Sequence, residues 1–388
     1  MNTSPYLFRI ESIALEMRIF LLTTICSVGI MIAQMEQLYR ISATVLYQTK
    51  ADMSILIGKK GEKMKKVMKI IGIVLLCIVV LVVVLIVVNM IKTAINNKRV
   101  WIPDNYYMAF ESESALEKKY AGLGEYEVKE LEFDSENKSI DKIRVWYPNE
   151  AEDRQYPVIL VVNASNTASI NLKPVYARLA SWGFVVVGND DRQTGTGETA
   201  SETLDYVLNL NKDENSELFG KMDEEYIGCV GYSQGGAGAI NAVTRFENSD
   251  KFTALFTGSA SYALLSKNMG WEYDVSKINI PYFMTAGTGS SDDAGNSDIH
   301  SNEVKEFPGV APLASLVENY DGITADVFKI RARVTGAEHE QMLQKTDGYM
   351  TAWMLYHLQG DTEAASVFVG ENADIRTNNG WQDVEKNK

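Results

Sequence analysis

The sequence predicts a mixed α/β domain, with a mostly parallel sheet flanked by helices, preceded by a membrane-spanning helix. Three observations carry this. From Pro157 onward, short runs rich in Val, Ile and Phe alternate with helical stretches, the pattern of a parallel sheet with crossover helices. Gly231-Tyr232-Ser233-Gln234-Gly235 sits where one of those runs, Tyr226 to Val230, meets a stretch of small residues, Gly235 to Ala242. Ile70 to Ile91 contains no charged residue and is long enough to cross a hydrocarbon core of about 30 Å, for which about 20 residues suffice.

Taken in chain order, residues 1–69 read as a cytoplasmic N-terminal segment. Ile19 to Met35 is a weaker apolar run holding Thr23, Thr24, Ser27 and Gln34. It spans marginally, lies in the interface, or lies outside the natural protein. Met53 and Met64 each open a stretch that looks like an anchor start, which makes residues 1–52 a candidate over-extended start. Residues 70–91 form the transmembrane helix. A buried core helix would show a polar face, and a cleaved signal peptide a shorter apolar core with a small-residue cleavage site. Neither feature is present, so an uncleaved anchor is expected. Lys59, Lys60, Lys63, Lys65, Lys66 and Lys69 precede the span, while Lys92, Lys98 and Arg99 follow it. The denser positive flank stays in the cytoplasm. This predicts a single-pass cell-membrane protein with residues 92–124 as a linker and residues 125–388 as an extracytoplasmic domain.

Residues 100–388 hold 24 of the 37 Lys and Arg and 46 of the 51 Asp and Glu, a net charge of −22. Such an acidic surface argues against nucleic acid and anionic polymers as partners. Cys26 and Cys77 lie in the apolar N-terminal runs, leaving Cys229 alone in the domain. A disulfide within the domain and a cysteine zinc site are thereby excluded. Gly195-Thr196-Gly197 lacks the glycine and lysine of a phosphate-cradling loop and reads as a turn.

Tyr126 to Phe133 and Ile140 to Trp146 alternate and are joined through charged turn residues, as in an antiparallel edge pair. The later strands are Val158 to Val162, Phe184 to Gly188, Ile227 to Val230, Phe252 to Thr257, Tyr282 to Ala286 and Val327 to Val334. Helices are predicted at Lys173 to Trp182, Ser201 to Leu210, Gln234 to Phe246 and Asp347 to Leu358. The segment between Phe252 and Tyr282 is too short for a cap domain, so an open cleft formed by loops is expected.

The elbow at Ser233 is the chemical centre of the sequence. A serine on a tight strand-to-helix turn needs neighbours without bulk, and Gly231, Gly235 and Gly236 supply that room. An alcohol is a weak nucleophile at neutral pH, so it requires a histidine base and a carboxylate to orient it. In this arrangement the partners follow in the order Ser, acid, His, each at the end of a later strand. His339 fits, because Val327 to Val334 reads as a strand and Thr335-Gly336-Ala337-Glu338 as the turn after it. His300 lies in a polar loop, and His357 within a helix as a packing residue. The acid follows Pro281 to Ala286 in the turn Gly287-Thr288-Gly289-Ser290-Ser291-Asp292-Asp293. Spacing does not choose between the two adjacent carboxylates; the reading leans towards Asp293, with Asp292 close behind and Asp298 a distant third. A calcium loop over Asp292, Asp293, Asn296 and Asp298 is the competing reading, but the glycine and terminal glutamate of an EF-hand are out of register. No cofactor or metal is expected.

An attacked carbonyl becomes an oxyanion, for which two backbone N–H groups must be waiting. One is that of Gln234, at the start of its helix where donors are unpaired. The other belongs to the loop after Pro157 to Val162; Ser165 is the candidate, with Ala164 and Asn166 as its neighbours.

These pieces carry a resemblance. PVILVV with its loop, Ala180-Ser181-Trp182-Gly183-Phe184, GYSQGGAGA and Gly336-Ala337-Glu338-His339 make residues 126–381 similar to an α/β-hydrolase of the dienelactone hydrolase, chlorophyllase and bacterial polyester-hydrolase (cutinase-like) branch. The resemblance implies an eight-stranded, mostly parallel sheet wrapped by helices, and carboxylic-ester hydrolysis. Many relatives carry His-Gly where this chain has Asn163-Ala164. The expected activity is a membrane-anchored serine carboxylesterase acting on a small-molecule or lipid-like ester. An acyltransferase or peptidase on the same residues, or a binding module that keeps only the fold, are the alternatives, since an elbow defines the nucleophile and not the acceptor.

Overall fold

The computed structural model describes residues 61–97, 99–150, 154–301 and 306–388. The readings on residues 1–52, on Ile19 to Met35 and on Lys59 and Lys60 fall outside the described residues. The chain divides into two compact units, residues 1–90 and 91–388. Helix α1, Gly61–Asn97, contains the apolar window Met68–Thr93, 26 residues of mean hydropathy 3.8. It is long and apolar enough to cross a membrane. From Ile70 to Ile91 its described Ile, Val and Leu side chains are exposed except for the half-buried Val83 and Val87, as expected of a helix with no polar face.

The larger unit is built on a nine-stranded sheet: β1 (Val128–Asp134), β2 (Lys142–Pro148), β3 (Tyr156–Val162), β4 (Val185–Asn189), β5 (Met222–Tyr232), β6 (Phe252–Gly258), β7 (Tyr282–Gly287), β8 (Lys329–Val334) and β9 (Trp381–Lys386), in the order β1-β2-β4-β3-β5-β6-β7-β8-β9. Strands β3 to β8 pair in parallel, while β1–β2, β2–β4 and β8–β9 are antiparallel. All eight expected strands are present. The ninth was not expected: Trp-Gln-Asp-Val-Glu-Lys is mostly polar and carries a positive-φ residue, Asp383, so nothing in its pattern separates it from a solvated terminus.

Burial on both faces explains why the central strands are continuous apolar runs. Along β3, Val158, Leu160 and Val162 face one core with Leu204, Val207, Ile240 and Leu316, whereas Ile159 and Val161 face the other with Val175, Leu179, Met350 and Trp353. The helices supplying these residues are α3 (Lys173–Ala180), α4 (Glu198–Leu210), α5 (Gln234–Arg245), α7 (Leu313–Gly322) and α8 (Asp347–Met354). Helices α2 (Ala115–Ala121) and α6 (Ala263–Asn268) complete the set used below.

Residues 99–121, read from the sequence as linker, are instead part of this unit. The Trp101 N–H bonds Asn171 O at 2.8 Å, Ile102 is buried, and Ser114 caps α2 by accepting the Glu117 N–H. The buried Glu117 carboxylate accepts from Trp381 Nε1 at 2.6 Å and Asn378 Nδ2 at 2.7 Å. The Tyr106 hydroxyl donates to Asp347, whose carboxylate lies 3.1 Å from the fully buried Arg178 guanidinium. A buried charge needs such a partner, and the charged, alternating composition of residues 99–121 hid these inward contacts.

His357 lies where α8 runs on into the π-helical turn Leu355–Gln359, packed against Trp353, Tyr356 and Phe328 with no partner for Nε2 among the described residues. Burial pushes its pKa down from 6.5 to about 4. Between these values the unfolded chain holds the extra proton, so stability is intact above about 6.5 and falls as the pH drops towards 4. The loss from this group should reach on the order of 2–3 kcal/mol. Urea midpoints measured across that window should show a shallower slope for His357→Phe than for the wild type, and identical slopes would remove His357 from the account.

Candidate active site

The C-terminal ends of β3, β5, β7 and β8 converge, as expected for a site on a parallel sheet. Ser233 follows β5 at φ 55° and ψ −123°, a left-handed backbone that non-glycine residues adopt only under constraint. Two close approaches maintain it. A Cβ on Gly231 would lie 2.1 Å from Gly235 O, and one on Gly235 would lie 2.2 Å from Val162 O and 2.3 Å from Asn163 O. The first turn of α5 is thereby pressed onto the end of β5 and the start of the loop after β3. The Ser233 N–H is held by Gly258 O at 2.9 Å.

His339 Nε2 lies 2.9 Å from Ser233 Oγ, and its Nδ1 lies 2.6 Å from Asp292 Oδ1. An ionised carboxylate only accepts, so Nδ1 carries the proton and Nε2 is free to accept the Ser233 hydroxyl proton. Asp292 is completely buried, and its second oxygen, Oδ2, accepts from Ser259 Oγ at 2.5 Å and from the Gly287 N–H at 2.7 Å. These donors compensate a charge that would otherwise be costly at that depth.

The lean towards Asp293 is corrected. Asp293 turns the other way and meets Arg333 Nη1 at 2.5 Å, while its other oxygen accepts the Gly295 N–H at 3.0 Å. The partner that draws it there, Arg333 on β8, also binds Asp383. Asp298 and His300 are exposed, the latter 3.6 Å from Glu318.

In the loop after β3, the Asn166 N–H bonds Arg192 O at 3.0 Å and the Thr167 N–H bonds Ala164 O at 3.1 Å. Asn166 is thereby committed, which leaves Ala164 and the exposed Ser165 as the candidate oxyanion donors of this loop beside Gln234. The departure at Asn163 has a physical role: its buried side chain donates to Asn189 O at 2.6 Å and accepts from the Tyr176 hydroxyl at 2.6 Å, so a carboxamide anchors the loop. Sequence reasoning missed Ser259, whose only signal is its place just after a parallel strand, and Ser291, which accepts the His339 N–H at 2.8 Å. Among the described residues no cluster of three or more His, Cys, Asp or Glu is arranged to hold a metal.

Residues 112–260 match the PET hydrolase-like family model, PETase. The resemblance to the polyester-hydrolase branch is borne out, and the PETase-like match implies an α/β-hydrolase fold and points to ester hydrolysis. The matched segment runs from α2 to just beyond β6 and includes the elbow at Ser233, while Asp292 and His339 lie after it. No curated protein matches the chain.

Proposed function

We propose that this chain is a membrane-anchored serine carboxylesterase in which Ser233 is the nucleophile, His339 the general base and Asp292 the acid that orients the imidazole. The Ser233 hydroxyl attacks the ester carbonyl as His339 Nε2 takes its proton. The N–H groups of Gln234 and of Ser165 or Ala164 stabilise the oxyanion. Collapse expels the alcohol, which leaves with the proton from His339, and a water activated by the same imidazole then hydrolyses the acyl-enzyme. The observation that carries this reading is the continuous line of hydrogen bonds from buried Asp292 through His339 to a serine in a left-handed elbow. The site is read as open, without a large cap, and suited to a small or lipid-like ester.

A fluorophosphonate probe tests the assignment on the full chain in detergent. Wild-type protein should be labelled and Ser233→Ala should not, with ester turnover following the same pattern; unlabelled, folded wild type would overturn it. Placement outside the cytoplasm rests on the lysine asymmetry around α1. Protease added to intact spheroplasts should digest the region after Lys92 and spare the segment before Ile70. Protection of the larger unit until the membrane is breached would invert the orientation.

A further inference from the structure

Asp292 and His339 reach each other from different loops, one after β7 and one after β8, so their contact is only as well defined as the spacing of those loops. Part of the lacing is local: the Gly289 N–H bonds Ala337 O at 2.8 Å, and the Gly336 N–H bonds Thr288 Oγ1 at 2.8 Å. Another part uses side chains that the proton-transfer chemistry does not need. Glu338 Oε2 accepts the Ser291 N–H at 2.9 Å and also the Ser291 hydroxyl. Ser291 Oγ in turn accepts the His339 N–H at 2.8 Å. Two hydrogen-bonded rings therefore share the bond from the His339 N–H to Ser291 Oγ. One closes through the Glu338 side chain, the other through Asp292 and the imidazole.

The carboxylate has a place prepared for it. A Cβ on Gly289 would lie 2.4 Å from Glu338 Cδ, so the carboxylate occupies space that a side chain at position 289 would contest. The Ser291 hydroxyl and the N–H groups of Ser291 and Ser290 hold the Glu338 pKa below the usual carboxylate value, which leaves it ionised at neutral pH. A hydroxyl has one proton to give. With that proton committed to Glu338, the lone pairs of Ser291 Oγ face the His339 N–H.

We propose that Glu338 is a positioning residue for the site: its carboxylate orients Ser291, and Ser291 holds the His339 main chain where the imidazole meets both Asp292 and Ser233. The proposal rests on the serine-hydrolase reading. Small displacements of a catalytic group are expensive, about a hundredfold in rate for 1 Å, so Glu338→Ala should lower kcat by about ten- to a hundredfold with KM unchanged and the domain still folded. Glu338→Gln, which keeps one acceptor oxygen, should recover part of the loss. The low-field proton resonance of His339 Nδ1–H should shift or broaden in Glu338→Ala and return in Glu338→Gln. Ser291→Ala should resemble Glu338→Ala, and the double variant should be no worse than the poorer single one, because both act through one bond. Wild-type kcat in Glu338→Ala, or losses that multiply in the double variant, would overturn the proposal. An active Ser233→Ala would sink the serine-hydrolase reading itself, whereas an inactive Ser233→Ala beside a fully active Glu338→Ala would sink this proposal alone.

Discussion

Ser233→Ala is expected to remove ester hydrolysis almost completely, by a factor of about 10⁶ if the three residues act as a unit, while the domain stays folded. The size follows from the role: without Oγ no acyl-enzyme forms, and only oxyanion stabilisation and binding remain. The fold should survive because alanine keeps the Cβ that already sits at φ 55°, and because, among the described residues, the one side-chain hydrogen bond lost is that to His339. His339→Ala should approach the same floor, since it removes the group that takes the Ser233 proton. His300→Ala should retain activity, as this residue is exposed beside Glu318. Initial rates on a soluble ester, with circular dichroism to verify folding, decide the matter. Turnover near wild type in Ser233→Ala would end the reading.

Where local pattern and environment agree, the sequence is transparent. The elbow needs small residues at fixed offsets, and Gly231 and Gly235 are where a side chain would collide with backbone, so five residues report the turn, the nucleophile and the adjoining helix together. The central strands are legible because both their faces are buried. Glu117 and Trp381 were opaque for the opposite reason. Each belongs to a polar, charged stretch whose inward contact is a hydrogen bond to the other, and such pairing across the whole chain leaves no periodicity to read. Asn163 stands out in the sequence as a departure, but the use of its carboxamide as a loop anchor depends on Asn189 and Tyr176, which lie elsewhere in the sequence. The choice between Asp292 and Asp293 was undecidable for a related reason. Adjacent side chains in a turn point apart, and which one points inward was decided by Arg333, Ser259 and the Gly287 N–H, none of which spacing reveals.

That choice carries the second large effect. Asp292→Asn should lower kcat by about 10⁴, the scale reached when an amide replaces the acid of a serine-histidine pair. The mechanism can be followed atom by atom. Ser259 Oγ and the Gly287 N–H both donate to Oδ2, so an asparagine must keep its oxygen there and turn its NH₂ towards His339. Facing a donor, Nδ1 becomes the acceptor and the ring proton moves to Nε2. That tautomer cannot take the Ser233 proton, and the base is lost although the geometry is kept. Asp293→Asn removes only half of an ion pair, and Arg333 keeps Asp383 at 2.8 Å. It should lose less than about tenfold in kcat while giving up on the order of 1–3 kcal/mol of stability, as for a partly buried charged hydrogen bond. Measuring kcat and the urea midpoint for both variants separates the roles: a catalytic loss with little change in midpoint is expected at Asp292, and a loss of midpoint with little change in kcat at Asp293. The reverse pattern would move the acid to Asp293, and full activity in both would place it elsewhere in the chain.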